Sequence, residues 1–169
     1  MIFQFWGATT EEIHGSVVGD NLCRNATLIA TRSITLSAPP KDVFPWIQQM
    51  GFGRAGWYSY DWIDNLGRKS ATKVHEEWQS VTSGDKIPAG PISFTAAIVE
   101  APRHFVLEIK SLGKKSPKLH FTLAYELREG DQAGSAIHVS ILMHHHRSST
   151  RPDPPRGSQD PEMTVPRHH

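Results

Sequence analysis

With 169 residues, 38% of them hydrophobic and 21% charged, the chain has the length and balance of one globular domain. Its formal net charge of +1 leaves no basic stripe of the kind a nucleic-acid domain needs for counterion release. Its apolar runs are too short to span a bilayer, and its one cysteine, Cys23, allows neither an internal disulfide nor a multi-cysteine zinc site.

Residues 1–27 read as an N-terminal extension. The opening Met1 to Gly15 carries no basic n-region and reaches Glu11 early, so it is not expected to act as a signal peptide. A cytoplasmic location follows as the expectation, and the lone cysteine agrees with a reducing compartment.

Leu28 to Leu36 is rich in Ile, Leu and Thr and stops at Ser37-Ala38-Pro39-Pro40, which predicts a strand followed by a sharp turn. Ser37 is placed to cap the next helix, with the prolines in its first turn. Val43, Trp46, Ile47 and Met50 recur at helical spacing, and Gly51 and Gly53 end the run. A second short helix is predicted over Tyr58 to Leu66, with Trp62 and Leu66 on one face.

After Gly84-Asp85 the period changes to two. Ile92, Phe94, Ala96 and Ile98 alternate, then Phe105, Leu107 and Ile109, then Leu119, Phe121, Leu123, Tyr125 and Leu127, then Ile137, Val139 and Ile141. Turn residues separate these runs at 101–103, 113–117 and 129–134. Short connections imply antiparallel neighbours. The layout is α+β: one strand, two helices, then a meander whose apolar face the helices cover. His120 and His138 fall out of phase with the apolar set and are expected on a solvated opposite face. His104, just before its strand, is expected to be exposed.

The last 26 residues, His144 to His169, hold five of twelve prolines and no aromatic residue. They cannot bury enough surface to offset their ordering entropy, so they read as a disordered tail. His144-His145-His146 is expected to bind metal only adventitiously, because nothing beside it would orient the rings.

The aromatic residues are unevenly spread. Phe44 to Trp78 carries eight of the fifteen and four of the five tryptophans. Aromatic rings with polar tips suit the wall of an apolar pocket as well as a core. Trp57, Tyr58, Tyr60, Trp62, Trp78 and Phe94 are the candidate walls. Arg54 and Asp61 are the candidate polar residues at the rim, Arg54 for an anionic ligand group. The bland alternative for Arg54 is a surface salt bridge to Asp61 or Asp64. Asp61 could serve as a base if buried beside tyrosines, or face water at a helix start. Ser59 lacks a G-x-S-x-G elbow, and the glycines at 51, 53 and 56 follow no strand and precede no Lys-Ser/Thr, so neither a hydrolase nor a nucleotide site is expected. No cofactor or resident metal is expected, and Cys23 reads as inert.

The order of elements, with Ser37-Ala38-Pro39-Pro40-Lys41-Asp42-Val43-Phe44-Pro45-Trp46-Ile47 after the first strand, resembles the SRPBCC superfamily, which includes START-like, Bet v 1-like and polyketide cyclase/dehydratase-like proteins. The run Gly51 to Leu66, the residues Glu77-Trp78-Gln79 before Gly84-Asp85, and Trp6-Gly7-Ala8-Thr9 look like one bacterial branch of it. The resemblance covers about residues 5 to 143, with the domain itself at 28–143 and the tail at 144–169. It implies a helix-grip fold, in which a curved antiparallel sheet wraps a long C-terminal helix around an apolar cavity. This sequence departs from that pattern after Met143. Prolines at 152, 154, 155, 161 and 166 forbid a long helix, so the helix reads as absent or replaced, by a frameshift or a truncation. The resemblance implies binding of a small hydrophobic or aromatic molecule. The alternatives are a cyclase- or dehydratase-like enzyme using the same cavity, and a truncated, non-catalytic remnant that binds a partner.

Overall fold

Alternating apolar residues decide this architecture, because a strand turns successive side chains to opposite faces. The computed structural model describes residues 5–6, 10, 15–24, 26–58, 66–110, 118–129 and 135–146. Its strands are β1 (Phe5–Trp6), β2 (Leu28–Leu36), β3 (Lys86–Ala89), β4 (Ile92–Glu100), β5 (His104–Lys110), β6 (Lys118–Glu129) and β7 (Ser135–His146). They form one seven-stranded sheet in the order β1-β2-β7-β6-β5-β4-β3. β1 runs parallel to β2, and every other pairing is antiparallel. Helix α1 (Pro40–Gln48) lies across one face, so the fold is α+β. Among the described residues, no helix is long and apolar enough to cross a membrane.

β2 spans the run expected of it. The helix after it starts differently. Pro39, extended at φ −70° and ψ 156°, occupies the cap position, and no side chain caps the helix. Ser37 therefore does not play the role expected of it. Pro40 takes the first helical position, where its missing N–H is no loss and its fixed φ suits the helix. Val43, Phe44 and Ile47 are buried beneath α1, and Met50 is buried just beyond it.

These side chains meet Ile87, Ala96, Phe105, Leu107, Leu127 and Ile137 in the main core. Phe44 and Phe105 pack edge to face at 6.3 Å between ring centroids. Phe121, Leu123, Tyr125 and Leu127 share this face of β6, as their alternation requires. We call it the front face. Each fully buried large side chain there contributes about 1.5–3 kcal/mol.

The back face departs from the expectation of a solvated surface. Residues 17–23 lie against it, and Val17 packs with Val106 and Ala124 in a second core. Thr31 and Thr122 are buried on the same side. β5 is consequently buried on both faces from Phe105 to Ile109. Gly19 permits the close approach: its φ is +91°, and a Cβ built there would meet a Val106 methyl at 3.0 Å.

Two further differences have local causes, and one expectation lies largely outside the described residues. A register shift between Ala96 and Ile98 in β4 turns Ile98 to the back, opposite Val106, whereas alternation alone kept it with Ala96. β7 continues to His146, so His144 to His146 pair with His120, Leu119 and Lys118 as strand rather than belonging to the tail. Tyr58 and Leu66, the expected ends of a second helix, have φ of 53° and 49°, and Leu66 is 76% exposed. Residues 59–65 between them, and the tail from 147 onward, lie outside the described residues.

Candidate functional site

An apolar groove of about 580 Å³ separates α1 from the front of the sheet. Val43, Trp46, Ile47 and Met50 line it from the helix side. Ile34 and Leu36 of β2, Tyr125 of β6 and Ile137 of β7 supply the sheet side. Ser37, Ala38 and Asp42 come from the β2–α1 corner, and Trp57 and Tyr58 from the glycine-rich segment after the helix. Ile34 and Ile137 are register partners, which sets their side chains on one face. Ile34 remains 44% exposed, so the groove is open on the β2 side.

The glycine segment is held by backbone pairing. Gly51 and Gly56 exchange hydrogen bonds of 3.0 and 3.1 Å, which folds residues 51–56 into a tight loop and directs Trp57 back toward the sheet. The Trp57 ring packs on Phe94 at 5.6 Å, and Phe94 in turn packs on Phe121 at 6.0 Å. Trp46 and Tyr58 meet edge to face at 6.0 Å.

Two buried amides brace this wall. Gln48 Nε2 donates to the carbonyls of Gln79 at 3.0 Å and Val81 at 3.1 Å. Gln49 Nε2 donates to the Tyr58 hydroxyl and to the Lys73 carbonyl, while the His75 N–H donates to Gln49 Oε1 at 3.0 Å. Buried polar groups carry a heavy penalty when unpaired, so these satisfied amides fix the loops beside the groove. Partial burial raises the Tyr58 phenol above its ordinary value, although the bond to Gln49 opposes this.

Of the residues singled out in sequence, Trp57 and Tyr58 line the groove, and Phe94 supports Trp57 from behind. Arg54 and Trp78 lie in a second hollow of about 350 Å³, with Glu77, Asp85 and Lys86. Arg54 Nη2 donates to the backbone carbonyls of Gln48 at 3.3 Å and Trp78 at 3.0 Å. Burial lowers the Arg54 pKa and the Asp85 charge works against that shift. Arg54 thus ties the end of α1 to the following loop. Tyr60, Asp61 and Trp62 lie outside the described residues, as does Asp64.

The histidines are more engaged than their sequence positions suggested. His120 Nε2 lies 2.8 Å from Glu108 Oε1 on the back face, and Lys110 Nζ lies 3.0 Å from the same oxygen. The half-buried His104 has Nδ1 2.7 Å from Glu100. His75 stacks on Trp78 at 4.6 Å and lies 3.2 Å from Glu77. Cys23 is buried, and its thiol lies 4.0 Å from the His120 carbonyl. No three His, Cys, Asp or Glu side chains among the described residues gather into a metal-binding group.

Sequence reasoning missed Tyr125 and Ile34 as lining residues. Tyr125 carried a signal, since it is the one polar-tipped member of the apolar series from Leu119 to Leu127. Ile34 became a wall only because β2 pairs with β7, which is a long-range fact. No protein-family model matches the chain, and no curated protein matches it.

Proposed function

We propose that this protein binds a small hydrophobic or aromatic molecule in the groove between α1 and the sheet, as a helix-grip module of the SRPBCC kind. The observation that carries the reading is the groove itself: about 580 Å³, with an apolar wall on each side and an opening to solvent. A ligand there would be sandwiched between the rings of Trp46 and Trp57 and the aliphatic side chains of β2 and β7.

Binding is favoured over a cyclase- or dehydratase-like activity by the predominantly apolar character of the described lining, whose polar tips are Ser37, Asp42, Tyr58 and Tyr125. Such chemistry needs an acid or base buried against the ligand. The carboxylate among the described lining residues is Asp42, which is exposed in the first turn of α1.

Tryptophan fluorescence titration with Nile red, a neutral apolar probe, tests the reading. The wild-type protein should quench on binding, and Trp57→Ala should quench several-fold less. A folded, monomeric protein that fails to bind the probe would show that the groove is closed in solution, and the reading would fall.

A further inference from the structure

The groove is apolar on its walls but not uniformly so. Tyr125 sits in the middle of β6, between Phe105 of β5 and Val139 of β7 in the sheet register. Its side chain lines the groove and packs against the main core. Among the described residues, nothing hydrogen-bonds its hydroxyl, and nothing accepts from the indole N–H of Trp46 or Trp57. The second tyrosine of the groove, Tyr58, already meets Gln49. The groove therefore presents donors that no described residue satisfies, beside the acceptors of Ser37 and Asp42 at its corner. The Tyr125 side chain is partly buried, and a ligand that displaces water from the groove either supplies an acceptor or leaves the hydroxyl unpaired.

The charges of the lining add a second constraint. Among the described residues it contains no lysine, arginine or histidine, and its carboxylate is Asp42. Arg54, the cation expected to meet an anionic ligand, is instead bound to two backbone carbonyls in the neighbouring hollow. An anion entering the groove would lose hydration without gaining a counter-charge.

Resting on the binding reading above, we infer that the groove selects neutral, flat, apolar molecules carrying a hydrogen-bond acceptor oxygen, such as an aryl ketone, and that the Tyr125 hydroxyl donates to that oxygen. Carboxylate amphiphiles are discriminated against. Burial raises the pKa of the Tyr125 phenol, so it stays protonated, and a donor, throughout the neutral range.

Three probes of similar size separate the contributions: naphthalene, 2-acetylnaphthalene and 2-naphthoate, measured on the full chain by equilibrium dialysis at neutral pH. The ketone should bind roughly three- to tenfold more tightly than naphthalene, the range of one net hydrogen bond. The carboxylate should bind more weakly than the ketone. In Tyr125→Phe the ketone should lose its advantage over naphthalene, and circular dichroism matching the wild type shows that the variant is folded. A 13C label on the ketone carbonyl gives a second readout: the bound resonance in the wild-type protein should lie downfield of the bound resonance in Tyr125→Phe. Equal affinity for ketone and naphthalene, tighter binding of the carboxylate, an advantage that survives in Tyr125→Phe, or bound carbonyl resonances that coincide in the two proteins would each overturn the selectivity while leaving the binding reading in place. Failure of all three probes to bind would overturn both.

Discussion

The two faces of the sheet solve the same problem in opposite ways. The back is closed by residues 17–23 and filled at its centre by small or polar side chains: Val106, Ala124, Thr31, Thr122 and the Glu108–His120 pair. Helix α1 covers the front beside large apolar residues and leaves a groove. A face packed with small groups and satisfied polar pairs leaves little room for a guest. A face of bulky rings and branched chains, spanned by a nine-residue helix, cannot close everywhere. The difference teaches that the opening follows the bulk of the side chains beneath the cover and not the length of the cover, since the shorter segment 17–23 closes the back.

The largest expected effect comes from removing the front core. Phe105→Ala should cost about 3–5 kcal/mol in chemical denaturation, because Phe105 is fully buried against Phe44. A cost near 1 kcal/mol would mean that the front core is as loosely packed as the groove beside it. On the back, Gly19→Ala should cost about 1–3 kcal/mol, since any side chain there is strained and pressed toward Val106. A neutral result would show that residues 17–23 do not hold the back closed. Tyr58→Phe should cost about 1 kcal/mol, the net value of its hydrogen bond to the buried Gln49. Unchanged stability would show that this bond does not brace the groove wall.

The smallest effect is a pH dependence at the sheet edge. Asp85 is held below its ordinary value first by the Thr82 N–H at 2.7 Å and then by the Thr82 hydroxyl at 3.0 Å, with Arg54 adding a weaker pull. A carboxylate whose folded pKa is depressed stabilises the fold above its unfolded value and loses that contribution as pH falls through the folded one. Wild type should therefore exceed Asp85→Asn in stability at pH 7, and the gap should narrow as pH drops below about 4. A gap that widens in acid would contradict the Thr82 contacts.

Much of the front was legible in the sequence because periodicity reports one-sided burial directly. The bounds of β2, the apolar stripe of α1 and the shared face of Phe121, Leu123, Tyr125 and Leu127 all follow from it. The back was not legible, because Thr31, Thr122 and Glu108 look like solvent-facing residues until the segment around Val17 is known to lie on them. The bulge that turns Ile98 was hidden for a similar reason: one extra residue reverses a face without changing composition. At the groove, aromatic density found Trp57 and Tyr58 but also drew in Trp78, whose neighbours are Arg54 and His75. At Arg54 the sequence shows a cation but not the carbonyls of Gln48 and Trp78 that it meets.

Methyl NMR of isoleucine-labelled protein titrated with 2-acetylnaphthalene tests the central claim most directly, because one spectrum reports on both faces. Ile34, Ile47 and Ile137 line the groove, and Ile98 packs on the back. Saturable shifts are expected for the first three, with the Ile98 methyl unmoved. Equal shifts on both faces, or a shift confined to Ile98, would contradict it.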